Sequence, residues 1–132
     1  MFIDASALVA ILLGEEDGAD LAHAIEQAPV PRRLTSPIAV FETVLAVTRA
    51  HAGDRQRAQD ILGTLLDRAR IKVVAIDTHA GTAALDAHAR FGKGTGHPAR
   101  LNMGDCFAYA MAKQHNVSLL YKGDDFAQTD LA

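Results

Sequence analysis

The sequence predicts an α/β fold of three layers, in which helices cover both faces of a central, mainly parallel β-sheet. Short apolar runs alternate with longer segments of helical periodicity along the chain, and this order is typical of a parallel sheet packed between helices. The 132 residues contain no repeat, linker or low-complexity tract, and this length suits one hydrophobic core. We therefore expect a single domain that spans residues 1–132.

Four short apolar runs predict the strands. The run at 71–76 has the clearest strand pattern, because four of its six residues are β-branched. The run at 34–36 is the weakest candidate. In chain order, the predicted strands are residues 1–4, 34–36, 71–76 and 118–121.

Capping residues and breakers indicate where the helices begin and end. Asp54 and Asn102 each precede a helical pattern and are suitable N-caps. A third helical pattern lies between these two, and either Asp77 or Thr78 can cap it. Gly14 is suited to end the first helix. The predicted helices are residues 5–13, 18–28, 38–52, 55–70, 78–91 and 103–115.

Composition excludes several classes of protein. The single cysteine, Cys106, has no partner for an internal disulfide and no neighbouring ligands for zinc, which favours a reducing cytoplasm. The N-terminal apolar run is interrupted too early for a signal peptide. No apolar segment reaches the roughly 18 residues of a membrane span, so we expect a cytoplasmic protein that does not cross a membrane.

The formal net charge of −3 argues against strong non-specific binding of nucleic acid. If four of the sixteen carboxylates line a single pocket, however, twelve remain against thirteen basic residues. A basic face around an acidic pocket is then compatible with the composition. Its candidate residues are Arg32, Arg33, Arg49, Arg90, Lys93, Arg100 and Lys122.

Acidic side chains stand at the ends of separate apolar elements. Asp105 lies in the first turn of an alanine-rich helix, Asp4 ends the first strand, and Glu42 lies within a mostly apolar helix. Asp124 and Asp125 follow the last strand. Buried carboxylates are costly without a cation or a shared proton, and ligands of open parallel sheets bind beyond the carboxyl ends of the strands. We therefore expect these acids to converge on a hard divalent ion such as Mg²⁺.

Each acid taken alone has a simpler interpretation. Asp4 is suited to capping the helix that follows it, and Asp105 to a capping box with Asn102. Glu42 alone is typical of a solvated helix residue, and the aspartates after the last strand are typical of a turn.

Taken in order, these motifs make the chain resemble a PIN domain, and more narrowly the VapC-type ribonuclease toxins of type II toxin–antitoxin systems. The resemblance implies a PIN-like three-layer α/β/α sandwich and hydrolysis of RNA phosphodiester bonds, with transfer RNA or another structured RNA as substrate. It also implies a homodimer and a VapB-type antitoxin whose C-terminal segment covers the pocket. The segments that carry the resemblance are 2–8, Glu42, 101–110 and 119–126.

The resemblance also implies roles for individual residues. Asp4, Glu42, Asp105 and Asp125 are the expected catalytic residues, with Mg²⁺ or Mn²⁺ as the ion. Mg²⁺ usually keeps several waters and binds one or two carboxylates, so Asp4 and Asp105 are the expected direct ligands. Ser6 follows Asp4 in an Asp-x-Ser pattern and is expected to hydrogen-bond that carboxylate or a metal-bound water.

The fourth acid departs from the family pattern. Many relatives carry an aspartate three residues before the last phenylalanine, where this chain has Gly123, followed by Asp124 and Asp125. We therefore place the fourth acid at Asp125 in preference to Asp124.

The alternative hypothesis is a catalytically silent PIN-like module that only binds other proteins. A phosphorylation receiver is less compatible, because this chain has one early acid rather than an adjacent pair.

Nine apolar residues of the first four helices are candidates for partner surfaces, and the alternative is that all of them belong to the core. They are Leu8, Ile11, Leu12, Val40, Val44, Leu45, Leu62, Leu65 and Leu66.

Overall fold

A computed structural model describes residues 1–132 and confirms the α/β class. Four short strands form one sheet in the order β3-β2-β1-β4, and every neighbouring pair is parallel. The register pairs Phe2 with Leu34 on one side and with Leu119 on the other. The strands are β1 (Phe2–Ile3), β2 (Leu34–Thr35), β3 (Lys72–Val73) and β4 (Leu119–Leu120).

Six α-helices surround the sheet, and their positions agree with the predicted helical patterns to within a few residues. Asp54 and Asn102 act as N-caps through their side chains, as predicted, and of the two candidates Asp77 and Thr78 it is Asp77 that caps its helix. A short 3₁₀ helix at Val30–Arg32, where the sequence indicated only a break, was not predicted. The helices are α1 (Ala5–Leu12), α2 (Gly18–Gln27), α3 (Pro37–Ala50), α4 (Arg55–Arg68), α5 (Thr78–Phe91) and α6 (Met103–Gln114).

Two apolar clusters lie on opposite faces of the sheet. Because successive side chains of a strand point to opposite faces, Phe2 joins the cluster formed with α5 and α6, whereas Ile3 joins the cluster formed with α1, α2 and α4. This arrangement gives the predicted three layers. None of the helices is both long and apolar enough to span a membrane.

The strand expected at residues 71–76 is shorter than its composition suggests. Only Lys72 and Val73 pair, and they do so at the edge of the sheet, with β2 alone. Both residues are exposed. The apolar residues of the run outside the strand pack into the core instead: Ile71 belongs to one apolar cluster, and Val74 and Ile76 pack against the other.

The hypothesis that the first four helices supply partner surfaces is only partly compatible with the fold. Leu8 and Leu62 are fully buried in the core and cannot contact a partner. Leu45 is exposed, and it lines a surface groove together with Val40, Val44 and Leu66. The other candidates pack against the core.

Candidate functional site

Asp4 lies between β1 and α1, at the carboxyl edge of the sheet, and it is buried. Its side chain caps α1: Oδ2 accepts hydrogen bonds from the backbone N of Ser6 at 3.0 Å and from Ser6 Oγ at 2.6 Å. Burial raises the pKa of Asp4, the bonds from Ser6 partly oppose the rise, and the charge of Asp125 adds to it. The capping interpretation is thus correct, but it accounts for only one of the two carboxylate oxygens.

Ser6 connects Asp4 to the last strand. While Ser6 Oγ donates to Asp4, it accepts a hydrogen bond from the backbone N of Lys122 at 3.0 Å. The two residues are 116 positions apart in sequence. Ser6 therefore holds the loop after β4 against the first carboxylate.

Asp105 forms a complete capping box at the start of α6. The backbone N of Asn102 donates to Asp105 Oδ2 at 3.1 Å, and the backbone N of Asp105 donates to Asn102 Oδ1 at 2.8 Å. Burial raises the pKa of Asp105 to about 7; the bond from Asn102 opposes this, and the charges of Asp125, Asp4 and Glu42 add to it. The other oxygen, Oδ1, has no hydrogen-bond partner in the protein.

Glu42 reaches the same place from the second turn of α3, where it lies against Gly104 of α6. A Cβ atom at Gly104 would lie 2.6 Å from Glu42 Cδ and nearer still to both carboxylate oxygens. Partial burial raises the pKa of Glu42, and the charge of Asp4 raises it further. Only glycine at position 104 leaves room for this carboxylate.

Asp125 completes the group from the turn after β4. It is exposed, it lines the same cleft as Asp105, and its charge raises the pKa of both Asp4 and Asp105. Asp124 lines the same cleft. The choice of Asp125 over Asp124 as the fourth acid stays a prediction.

The four carboxylates are suited to a divalent ion that has few direct protein ligands. No lysine or arginine forms an ion pair with any of them, so no basic side chain offsets their mutual repulsion. No three acidic, histidine or cysteine side chains are close enough to form a closed metal site. One or two direct carboxylate ligands with several waters, the usual environment of Mg²⁺, is compatible with both observations.

Most of the predicted basic face is engaged elsewhere. Lys122 forms ion pairs with Glu15 at 3.3 Å and Asp17 at 3.1 Å, and Arg32 donates to backbone carbonyls near the end of α6. Lys93 and Arg100 are different, since they line an open cleft beside the acids. Of the residues predicted for the basic face, these two line the cleft beside the acids.

Sequence reasoning did not single out Gly104 or the acids that hold Lys122. A glycine directly before a candidate site acid, inside an otherwise good helix pattern, was an available signal, because helical glycine is destabilising without a packing reason. The pairing of Lys122 with Glu15 and Asp17 had no local signal, since these residues are distant in sequence.

Comparisons with known proteins agree with this geometry. The sequence profile of the PIN domain matches residues 1–131. The chain is 43% identical to a VapC ribonuclease of Rhizobium meliloti, with 98% of each chain covered. It is 42% identical to a ribonuclease VapC of Mycolicibacterium smegmatis, covering 100% of this chain and 98% of the relative.

A solved structure extends the comparison to the fold. The crystal structure of VapC20 from Mycobacterium tuberculosis, a toxin that cleaves the sarcin–ricin loop, superposes with a TM-score of 0.76. The alignment covers 99% of this chain and 95% of that one, at 16% sequence identity. At this identity the likeness concerns the fold alone.

Proposed function

The chain belongs to the PIN-domain family, and on that basis we propose that it is the toxin of a type II toxin–antitoxin pair, a divalent-metal-dependent endoribonuclease. The observation that carries the proposal is the convergence of Asp4, Glu42, Asp105 and Asp125 without a compensating cation. Full-length relatives that are named VapC ribonucleases support the same reaction.

The ion would be held directly by Asp4 and Asp105, and through water by Glu42 and Asp125. Each of the first two uses Oδ2 for a helix cap and keeps Oδ1 for a ligand. A bound Mg²⁺ or Mn²⁺ supplies Lewis acidity, which activates water and offsets negative charge on the phosphate.

The protein's own contribution is to hold these acids in place before the ion arrives. Ser6 and Asn102 fix the two caps, and the room left by Gly104 admits Glu42. Fixed carboxylates keep an ion and a phosphate in reacting geometry. Positioning and electrostatic stabilisation supply most of the rate enhancement of such reactions.

The substrate we propose is RNA, with transfer RNA or another structured RNA as the class. RNA carries one phosphate per nucleotide, and sequence-specific recognition of RNA usually concerns unpaired bases in loops. An open cleft of about 420 Å³ beside the acids is within the size range of ligand-binding clefts.

Two apolar patches support a homodimer and a VapB-type antitoxin as partners. Leu85 and Met103 are 73% and 67% exposed beside a groove between α5 and α6. Phe41 is 64% exposed beside the groove between α3 and α4. Large exposed apolar side chains in groups are typical of interaction sites. Size measurement with and without the co-expressed antitoxin tests this part of the proposal.

The activity is tested by mapping new RNA ends after brief induction, and by cleavage of a broad transcript pool in Mg²⁺ or Mn²⁺. Asp4→Asn and Asp105→Asn are suitable inactive variants, because asparagine retains the capping oxygen and the fold. Asp124→Asn is the matched control, and we expect it to keep activity while Asp125→Asn loses most of it. Full activity in Asp105→Asn would contradict the mechanism, and no cleavage by antitoxin-free protein would favour the silent interaction module.

A further inference from the structure

We propose that Lys93 and Arg100 bind the RNA phosphates next to the one that is cleaved. This inference rests on the proposed ribonuclease function and adds the residues that hold the substrate. Lys93 and Arg100 line the open cleft that also contains Asp105, Asp124 and Asp125. A strand of RNA that reaches the acids through this cleft passes both cations.

The loop that carries the two cations is fixed at its base. Gly92 and Leu101 form a bridge, in which the backbone N of Lys93 donates to Leu101 O at 2.9 Å and the backbone N of Leu101 donates to Phe91 O at 2.9 Å. Phe91 and Leu101 are buried in the core. Lys93 and Arg100 therefore stand on adjacent segments at the neck of the loop, in a position set by the core.

Both side chains are free to bind a ligand. Each is exposed, and neither makes an ion pair or a side-chain hydrogen bond in the protein, although acids line the same cleft. Lys122, by contrast, is held by two acids of the loop between α1 and α2. The cations beside the cleft are thus the two that remain available to a polyanion.

The backbone of the loop makes a turn at Arg100. Its φ of +50° lies in the left-handed region, as do those of Ala52, Arg70 and Asn116. His97 holds this conformation: its carbonyl accepts from the backbone N of Arg100 at 3.2 Å, and its Nδ1 accepts from the backbone N of Ala99 at 3.1 Å.

The two cations offset the repulsion between RNA and the carboxylates of the site. A polyanion that approaches four carboxylates is repelled, and cations on its path offset that repulsion and steer its approach. Lysine and arginine that contact phosphates release counterions from the RNA, so each contact steepens the dependence of affinity on salt. Their contribution can therefore be measured apart from cleavage.

The test measures the binding of labelled, unfractionated transfer RNA as a function of NaCl concentration, in the inactive Asp4→Asn background. We expect Lys93→Gln and Arg100→Gln each to weaken binding and to lower the slope of log K against log salt by about 0.7–0.9. Arg100→Lys should retain most of the slope because it retains the charge. Arg57→Gln is the control: it removes one charge from α4, which packs mainly against α1 and α3, and it should leave the slope unchanged.

An unchanged slope in the Lys93→Gln/Arg100→Gln double variant would overturn the inference, even if the wild type cleaves RNA. A lower slope would support it, even if cleavage proved undetectable. Unchanged RNA binding with loss of antitoxin binding in the double variant would also overturn it, in favour of a protein-binding role for the two cations.

Discussion

Replacing Gly104 by alanine should abolish most of the activity without destabilising the protein. A new Cβ would lie 2.6 Å from Glu42 Cδ, whereas carbon atoms in contact are usually about 3.5–4.0 Å apart. The carboxyl group of Glu42 must therefore move by about 1 Å or more. It is the end of a flexible side chain and can rotate away at little cost to the fold. A displacement of this size at a reacting site commonly costs about 10²-fold in rate.

The effect on stability should have the opposite sign. Alanine in place of glycine inside a helix contributes up to about 1 kcal/mol, so the Tm of Gly104→Ala should be unchanged or rise by up to about 4 °C. The assay compares RNA cleavage rates with thermal unfolding followed by circular dichroism. The expected combination is low activity in a protein that is at least as stable as the wild type.

Gly63 provides the matched control. It lies within α4, and a Cβ there would meet nothing within 4 Å, so Gly63→Ala should gain similar stability and retain full activity. Glu42→Gln provides the second comparison, because it should resemble Gly104→Ala in its loss of rate. Wild-type activity in Gly104→Ala, with Glu42→Gln inactive, would refute the argument that glycine is required to place this carboxylate.

Three further predictions concern the pH dependence of stability, a hydrogen bond and an ion pair. Because burial raises the pKa of Asp105 from 3.8 to about 7, folding takes up a proton between these pH values, and the Tm of the metal-free protein should fall from pH 5 to pH 8. The fall should be smaller in Asp105→Asn, and equal dependence of Tm on pH in the two proteins would contradict the assignment. Ser6→Ala removes a 2.6 Å bond to Asp4 and leaves the backbone N of Lys122 unpaired, so chemical denaturation should show a loss of about 1–3 kcal/mol, with slower cleavage. Asp130→Asn weakens the half-exposed ion pair with Lys113, and its cost in the same measurement should stay below about 1 kcal/mol and decrease in high salt.

Much of the fold could be predicted because its signals are local. The caps at Asp54, Asp77 and Asn102 are defined within four residues, and the structure confirms all three. The predicted length of β3 was wrong because the extent of pairing depends on the neighbouring strand, which the run 71–76 does not encode. The 3₁₀ helix at Val30–Arg32 was missed because two prolines indicate only that an α-helix stops there.

The candidate site could be predicted from its acids but not from what supports them. Asp4 and Asp105 stand out in sequence because each is an acid beside an apolar segment. That each also takes part in a helix cap was offered as the rival interpretation, and the structure confirms the capping bonds of both. The contact between Glu42 and Gly104 joins two helices, and no pattern along one segment contains it.

The pairing of the first strand with the last has a consequence for the timing of synthesis. The backbone N of Asp4 donates to Leu120 O at 3.0 Å, and Phe2 pairs with Leu119, so the pocket joins two segments that are distant in sequence. Contacts of such large sequence separation form late, after the intervening segments have emerged from the ribosome. A chain still under translation therefore holds its first carboxylate before the strand that pairs beside it has been made.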